Sequence, residues 1–136
     1  MKKIDLAYLA GIIDSDGCIT IAKCAWRQRT RGQSPAYQEA ISLSQISPEA
    51  VNLAKELFGG GISVQKPRGM SRKSLYRWQA RNVIAAKALN LLLPFLRIKR
   101  WQAEIALELR RIKKRGRYAN TQLSSPHVRT LLPEIL

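Results

Sequence analysis

Two carboxylates close a stretch of small and apolar residues near the start of this chain, in the nine residues 9–17, LAGIIDSDG in one-letter code. Residues 4–14 contain Leu, Ile and Ala without Pro and predict a helix, and Gly17 is typical of the position just past a helix end. One face of this helix carries only small side chains and an acid, at Ala7, Ala10, Gly11 and Asp14. We therefore expect a second helix to pack closely against this face.

The end of the predicted helix concentrates negative charge. A helix C-terminus already presents unpaired carbonyl groups and the negative end of the dipole, and Asp14 and Asp16 add to it. If two copies pack about a twofold axis, the two Asp16 carboxylates approach and repel each other unless they are protonated or share a metal. The motif thus predicts a divalent metal site at a dimer interface.

The chain carries a large positive charge. Its 136 residues have the length of one domain, which we expect to span residues 1–136. It has 24 Lys and Arg residues against 9 Asp and Glu residues, a net charge of +15. This excess predicts a polyanionic partner, and by itself it fits DNA, RNA, a ribosome or an anionic membrane surface.

Composition argues against several other classes of protein. The apolar segment 89–96 is short and interrupted by Asn90 and Pro94, so it predicts no membrane span. Residues 1–3 lead directly into the motif helix, which is unlike a signal peptide. His127 is the only histidine and there is no Cys-x-x-Cys pair, which argues against zinc sites and His-based nucleases.

The two cysteines indicate a reducing compartment. Cys18 and Cys24 lie six positions apart on a predicted strand, about 20 Å when extended, which is too far for a disulfide between them. We expect free thiols, and a cytoplasmic location or an organellar matrix or stroma rather than secretion.

Alternation of apolar and polar residues predicts four strands, at residues 18–28, 37–45, 62–65 and 75–81. Ser47, Pro48 and Glu49 predict a helix start, with Ser47 as the cap and Pro48 in the first helical position, and Leu53, Leu57 and Phe58 continue its apolar face up to Gly59. Further helices are predicted at residues 83–93, closed by Pro94, at 98–114, and as a short docked segment from about Ser124.

This order predicts an α+β fold, a four-stranded antiparallel sheet with helices on one face. The predicted core face of the sheet consists of Ile19, Ile21, Ile41, Leu43, Tyr76, Trp78 and Ala80, while Leu75, Arg77, Gln79 and Arg81 point outward. A strand of about ten residues is about 33 Å long, close to one turn of B-DNA. If the polyanionic partner is DNA, one subunit would span about ten base pairs, and two subunits would span a long, near-palindromic site.

The nine residues resemble the signature of the LAGLIDADG homing endonucleases. Leu9, Ala10, Gly11, Ile13, Asp14, Asp16 and Gly17 match the consensus, while Ile12 and Ser15 differ conservatively. The predicted element order, αββαββα, matches this fold over essentially the whole chain. The resemblance implies a homodimeric endonuclease of mobile introns or inteins that cuts double-stranded DNA at a specific site.

The outward face and the basic loops are the predicted DNA-contacting surface, because Gln, Ser, Thr and Arg side chains hydrogen-bond base edges and Lys and Arg bind phosphates. The candidates are Thr20, Ala22, Cys24, Trp26, Gln28, Arg29, Arg31, Gln38, Ala40, Ser42, Ser63, Gln65, Lys66, Arg68, Arg72, Lys73, Leu75, Arg77 and Gln79.

For the phosphodiester cleavage that the resemblance implies, paired acids without a histidine point to metal-activated water, with Mg²⁺ as the expected ion and Mn²⁺ as a substitute. The resemblance implies that Asp16 of each subunit shares metal, assisted by the main-chain carbonyl of Ser15, and that Asp14 supports this site or the packing of the helix. It further implies that Gln45 organises solvent near the metal and that Lys99 stabilises developing charge.

One departure from the family concerns the basic residue often found four places after the glutamine. This chain has Glu49 there, and Arg97 or Arg100 is the candidate replacement.

Two other functions fit part of the pattern. An intron RNA maturase or a DNA-binding regulator would keep the fold without cleavage, and a ribosomal RNA-binding protein would explain the charge. The second gives no reason for paired acids at the end of a small-residue helix.

Overall fold

A computed structural model of the chain describes residues 2–24, 36–67, 69–70 and 73–114. Its elements follow the predicted order. They are α1 (Lys3–Asp16), β1 (Gly17–Cys24), β2 (Ala36–Gln45), α2 (Glu49–Phe58), β3 (Gly61–Gln65), β4 (Leu75–Arg81), α3 (Asn82–Leu92), a 3₁₀ turn (Leu93–Phe95) and α4 (Arg100–Lys114). No helix in these ranges is long and apolar enough to cross a membrane.

The four strands form one antiparallel sheet in the order β1-β2-β4-β3. Its core face is the predicted one. Ile19, Ile21, Ile41, Leu43, Trp78 and Ala80 are all buried, and Tyr76 packs at the edge of the core. The helices pack on this side, with Leu9 and Ile13 of α1 and Leu89 of α3 fully buried in the same cluster. Among the described residues, no helix packs on the other face of the sheet, which we call the open face.

A glycine follows α1 because there is no room for a side chain. Gly17 does not adopt a left-handed conformation, since its φ is −83°. A Cβ placed on it would lie 2.8 Å from the Cα of Ile13, well inside van der Waals contact. The predicted position of Gly17 just past the helix end is confirmed, and the missing side chain allows β1 to start directly against the last turn of α1.

Helix boundaries differ from the predictions in four places. The first helix continues through Asp16 instead of ending at Asp14. The Ser47 cap is wrong, because α2 begins at Glu49 after Pro48 and no side chain caps it. The third helix runs from Asn82 to Leu92, with Pro94 in the 3₁₀ turn that follows.

The fourth difference is that α4 begins at Arg100 rather than residue 98. The end of the predicted first strand, residues 25–28, and the segment from Ser124 lie outside the described residues.

Candidate nucleic-acid interface and acidic centre

The C-terminal end of α1 brings an acid and an amide together. Asp16, the last residue of α1, is exposed, and Gln45 is the last residue of β2. The Nε2 of Gln45 donates a hydrogen bond of 2.9 Å to the Oδ2 of Asp16. Since the two residues are 29 positions apart, this contact depends on the fold, and it joins two of the predicted catalytic residues.

Asp14 holds the segment before α4 against the end of α1. Its carboxylate accepts hydrogen bonds from the main-chain amides of Arg97, at 2.8 Å, and Lys99, at 2.9 Å. These amides precede α4, so the negative charge also lies near the positive end of that helix dipole. Asp14 thus acts in packing between elements, one of the two roles predicted for it.

Lys99 is anchored at the same place. Its Nζ donates a 2.6 Å hydrogen bond to the main-chain carbonyl of Asp14, one of the carbonyls in the last turn of α1. The side chain is half-buried, in contrast to a freely solvated lysine. The ammonium group therefore lies at the acidic end of α1, held by the segment whose amides Asp14 binds.

The protonation of Asp14 follows from these contacts. Burial opposes ionisation, but the amides of Arg97, Lys99 and Ile98 and the charge of Lys99 outweigh it, and the pKa of Asp14 is lowered. Its stabilising contribution is therefore complete above the ordinary carboxyl pKa of about 3.9, and it is lost as the pH falls below that value toward the lowered pKa.

We expect Asp14→Asn to lower the free energy of unfolding by about 1 to 2 kcal/mol at neutral pH, because the amide cannot replace both charge-assisted bonds. Urea unfolding of both proteins between pH 2.5 and 7 measures this. The difference should shrink below about pH 4 as Asp14 becomes protonated in the wild-type protein. A difference that stays constant over the whole range would contradict this account.

The other residues predicted near the acid are placed as follows. Ser15 is exposed, and its Oγ donates to the carbonyl of Ile12 at 3.0 Å. Of the two candidates to replace the base absent at Glu49, Arg100 is paired with Glu104 at 3.2 Å. The exposed side chain of Arg97 is the remaining candidate.

Only some of the residues predicted to form an interface on α1 are exposed. Ala7 and Gly11 are exposed, and a Cβ on Gly11 would meet nothing within 4 Å in its own chain. Asp14 is half-buried at the end of the same helix. Ala10 is fully buried within the chain, so the prediction that it contacts a second helix is wrong. The helical period turns position 10 toward the core with Leu6, Leu9 and Ile13, and the exposed face instead carries Ile4 and Tyr8.

The open face contains the predicted strand residues that the structure describes. Alternation along the strands directs these side chains away from the core, and most are half or fully exposed. They are Thr20, Ala22, Gln38, Ala40, Ser42, Ser63, Gln65, Leu75, Arg77 and Gln79. Cys24 is at the end of β1, where its backbone alone is described. Trp26, Gln28, Arg29, Arg31, Arg68 and Arg72 lie outside the described residues.

Three residues of the open face were missing from the predicted contact surface. Cys18, Ser44 and Arg81 lie on it by the same alternation. Arg81 was already predicted to point outward, and extending the alternation to the ends of β1 and β2 would have found Cys18 and Ser44.

Two basic residues flank the end of this face next to Asp16. Lys66 and Lys73, which are exposed, line a groove of about 340 Å³ together with Gln65 and Ile46. Ile46 directly follows Gln45, so the groove lies at the end of the sheet where Gln45 contacts Asp16. Positive charge and the acidic centre are thus adjacent on the surface.

Comparison with known proteins shows the fold. No protein-family model and no curated protein matched the sequence. Among solved structures, the homing endonuclease I-CvuI bound to the I-CreI target with magnesium is 18% identical, with a TM-score of 0.73 over 98% of this chain and 80% of that one. The archaeal intron-encoded homing endonuclease I-Vdi141I in complex with DNA is 19% identical, with a TM-score of 0.70 over 99% of this chain and 84% of that one.

A longer structure matches as well. The LAGLIDADG homing endonuclease I-GzeII, in complex with its DNA target, is 15% identical with a TM-score of 0.56, and the match covers 96% of this chain but only 42% of that one. The chain therefore has the LAGLIDADG homing endonuclease fold, as the nine-residue motif and the element order predicted.

Proposed function

We propose that this protein is a metal-dependent, site-specific DNA endonuclease that acts as a homodimer on double-stranded DNA. The observation that carries the proposal is the Asp16–Gln45 contact, because it sets an exposed carboxylate at the edge of a polar, basic sheet face. The solved structures with this fold that were named above are homing endonucleases bound to DNA. The net charge of +15 complements a DNA backbone.

The donor atoms at the acidic end suit a hard divalent cation. Asp16 offers carboxylate oxygens, and the last turn of α1 offers main-chain carbonyls, including that of Ser15, so the available ligands are oxygens, as Mg²⁺ and Mn²⁺ prefer. Within the described ranges, no group of three or more His, Cys, Asp and Glu side chains could hold a metal. In this proposal one chain supplies half of the site, and the Asp16 of a second copy would complete it.

The residues around the acid have separate tasks in this proposal. A bound divalent ion supplies the Lewis acidity that phosphodiester hydrolysis requires. Gln45 fixes one oxygen of Asp16 and so orients the other for the ion. Lys99, held at the Asp14 carbonyl, places a positive charge where the phosphate becomes more negative during the reaction. Asp14 keeps Lys99 in place through the two amides.

The experiment that tests this function is cleavage of a randomised duplex DNA library by the purified protein, with Mg²⁺ and with EDTA. We expect double-strand cuts at one long, near-palindromic sequence that require Mg²⁺. Sequence-specific binding without cutting would instead support a non-cleaving regulator or RNA maturase on the same fold. Binding without sequence preference would contradict the proposal.

The proposed dimer uses the exposed face of α1. Ile4 is 75% exposed and Tyr8 52% exposed on this face, and the space beside Gly11 is empty in its own chain. Apolar side chains beside a glycine suit close packing of a second helix.

We expect Gly11→Leu to prevent dimerisation, because the added side chain would hold the second helix away from α1. The monomer should remain folded, because this side chain meets nothing within its own chain. Sedimentation equilibrium measures the mass, and circular dichroism verifies the fold. Lys87→Leu, which adds the same side chain at an exposed position of α3, is the matched control and should remain dimeric. A dimer of unchanged stability in Gly11→Leu would rule out this interface.

A further inference from the structure

Three of the long hydrogen-bonding side chains of the open face lie in a row on one strand. Arg77, Gln79 and Arg81 of β4 point outward and are exposed. Their cross-strand neighbours are all small, namely Ser44, Ser42 and Ala40 on β2, and Ser63 and Gly61 on β3. The three long side chains thus form a ridge that extends beyond the small side chains of β2 and β3 on either side.

The small neighbours leave the polar groups of this ridge without protein partners. Within the part of the chain that the structure describes, Arg77, Gln79 and Arg81 form no hydrogen bond or ion pair with another side chain. A Cβ added to Gly61, opposite Gln79, would also meet nothing within 4 Å. The donors and acceptors of the ridge are therefore available to a ligand outside the protein.

The register fixes the order of the three residues relative to the acid. Arg77 lies opposite Ser44, next to Gln45, whose amide contacts Asp16, whereas Arg81 lies opposite Ala40, further along β2. Arg77 is thus nearest the acidic centre and Arg81 furthest from it. Alternate residues on a strand are about 6.8 Å apart, which corresponds to about two base pairs at 3.4 Å each.

We propose that β4 selects a series of purines in each half-site: guanine by Arg77, adenine by Gln79 and guanine by Arg81, in this order away from the cleavage centre. This inference rests on the proposed DNA-binding function. Arginine forms paired hydrogen bonds with O6 and N7 of guanine, and glutamine forms them with N6 and N7 of adenine, in the major groove. Neighbouring contacts are separated by no more than about two base pairs.

The test is selection of binding sites from randomised duplex DNA in EDTA, so that binding is measured without cleavage. The full chain is compared with Arg77→Gln and with Gln79→Arg. Arg77→Gln should change one preferred base from guanine to adenine, by about tenfold or more, and leave the other positions unchanged. Gln79→Arg should change the preferred base at the neighbouring contact from adenine to guanine.

Lys87→Gln is the matched control, because it removes the same charge as Arg77→Gln from an exposed position on α3. It should select the wild-type sequence. The base assignments would be overturned if both β4 variants kept the wild-type base preferences. They would also be overturned if the variants lost affinity equally for all sequences, as expected for a lost phosphate contact. A wild-type protein without any preferred sequence would overturn the proposed function itself, so the two failures are distinguishable.

Discussion

The Asp16→Asn variant should lose DNA cleavage while it keeps its affinity for DNA. Asparagine has nearly the same size and still offers an oxygen to the Nε2 of Gln45, so the local structure should be preserved. The substitution removes the charge that would hold the metal, and it does so in both subunits of the proposed dimer. We expect the cleavage rate to fall by at least about 10²- to 10³-fold, as when one charge-stabilising group is removed from an active site.

Single-turnover cleavage and DNA binding are measured on the same duplex, with Asp5→Asn as the control. Asp5 lies in the first turn of α1, eleven positions from Asp16, and its substitution makes the same chemical change on the same helix. It should cleave at the wild-type rate. DNA affinity of Asp16→Asn should be equal to or tighter than that of the wild type, because a negative charge near the phosphates is lost. Full cleavage by Asp16→Asn would refute the catalytic assignment.

Those features of this molecule that depend on local periodicity could be predicted from the sequence. The alternation through Tyr76, Trp78 and Ala80 placed β4 at its observed bounds and its core face correctly. Small and apolar residues before two acids predicted that Asp14 and Asp16 lie near the end of a helix, although that helix continues to Asp16 rather than ending at Asp14. These inferences need only the period of two for strands and 3.6 for helices.

Contacts between residues far apart in the chain could not be predicted from these periodicities. The amides of Arg97 and Lys99 bind Asp14 over 83 and 85 positions, and nothing near them in the chain signals these contacts. Ala10 was misplaced for a related reason. Small residues on adjacent helix positions can face either the core or a partner, and only packing of α1 on the sheet decides between Ala10 and Gly11.

A second such contact is a buried ion pair. Glu39 lies on the core face of β2 and is fully buried. Its carboxylate accepts two hydrogen bonds from Arg110 of α4, from Nε at 2.9 Å and Nη2 at 2.5 Å. Lys113 lies 3.6 Å from it and also donates to the Oδ1 of Asn82 at 3.3 Å. A small apolar cluster that includes Ile21 lies on the same part of the sheet and helix.

We expect Glu39→Ala to lower the free energy of unfolding by about 3 to 5 kcal/mol, because it leaves the largely buried charges of Arg110 and Lys113 without their carboxylate. Urea unfolding at neutral pH measures this effect. Glu104→Ala, which removes an exposed carboxylate paired with the exposed Arg100 on α4, is the control and should change stability little.

The double variant Glu39→Leu with Arg110→Met distinguishes two contributions to the loss of stability, the lost attraction between the charges and the penalty for a buried charge without a partner. If most of the loss in Glu39→Ala comes from the unpaired guanidinium, replacing both partners with apolar side chains of similar length should recover most of the stability. Lys113 keeps Asn82 as a partner, and its flexible stem can carry the ammonium group toward solvent. A double variant as unstable as Glu39→Ala would show instead that the attraction itself, rather than the penalty for an unpaired charge, holds α4 on the sheet.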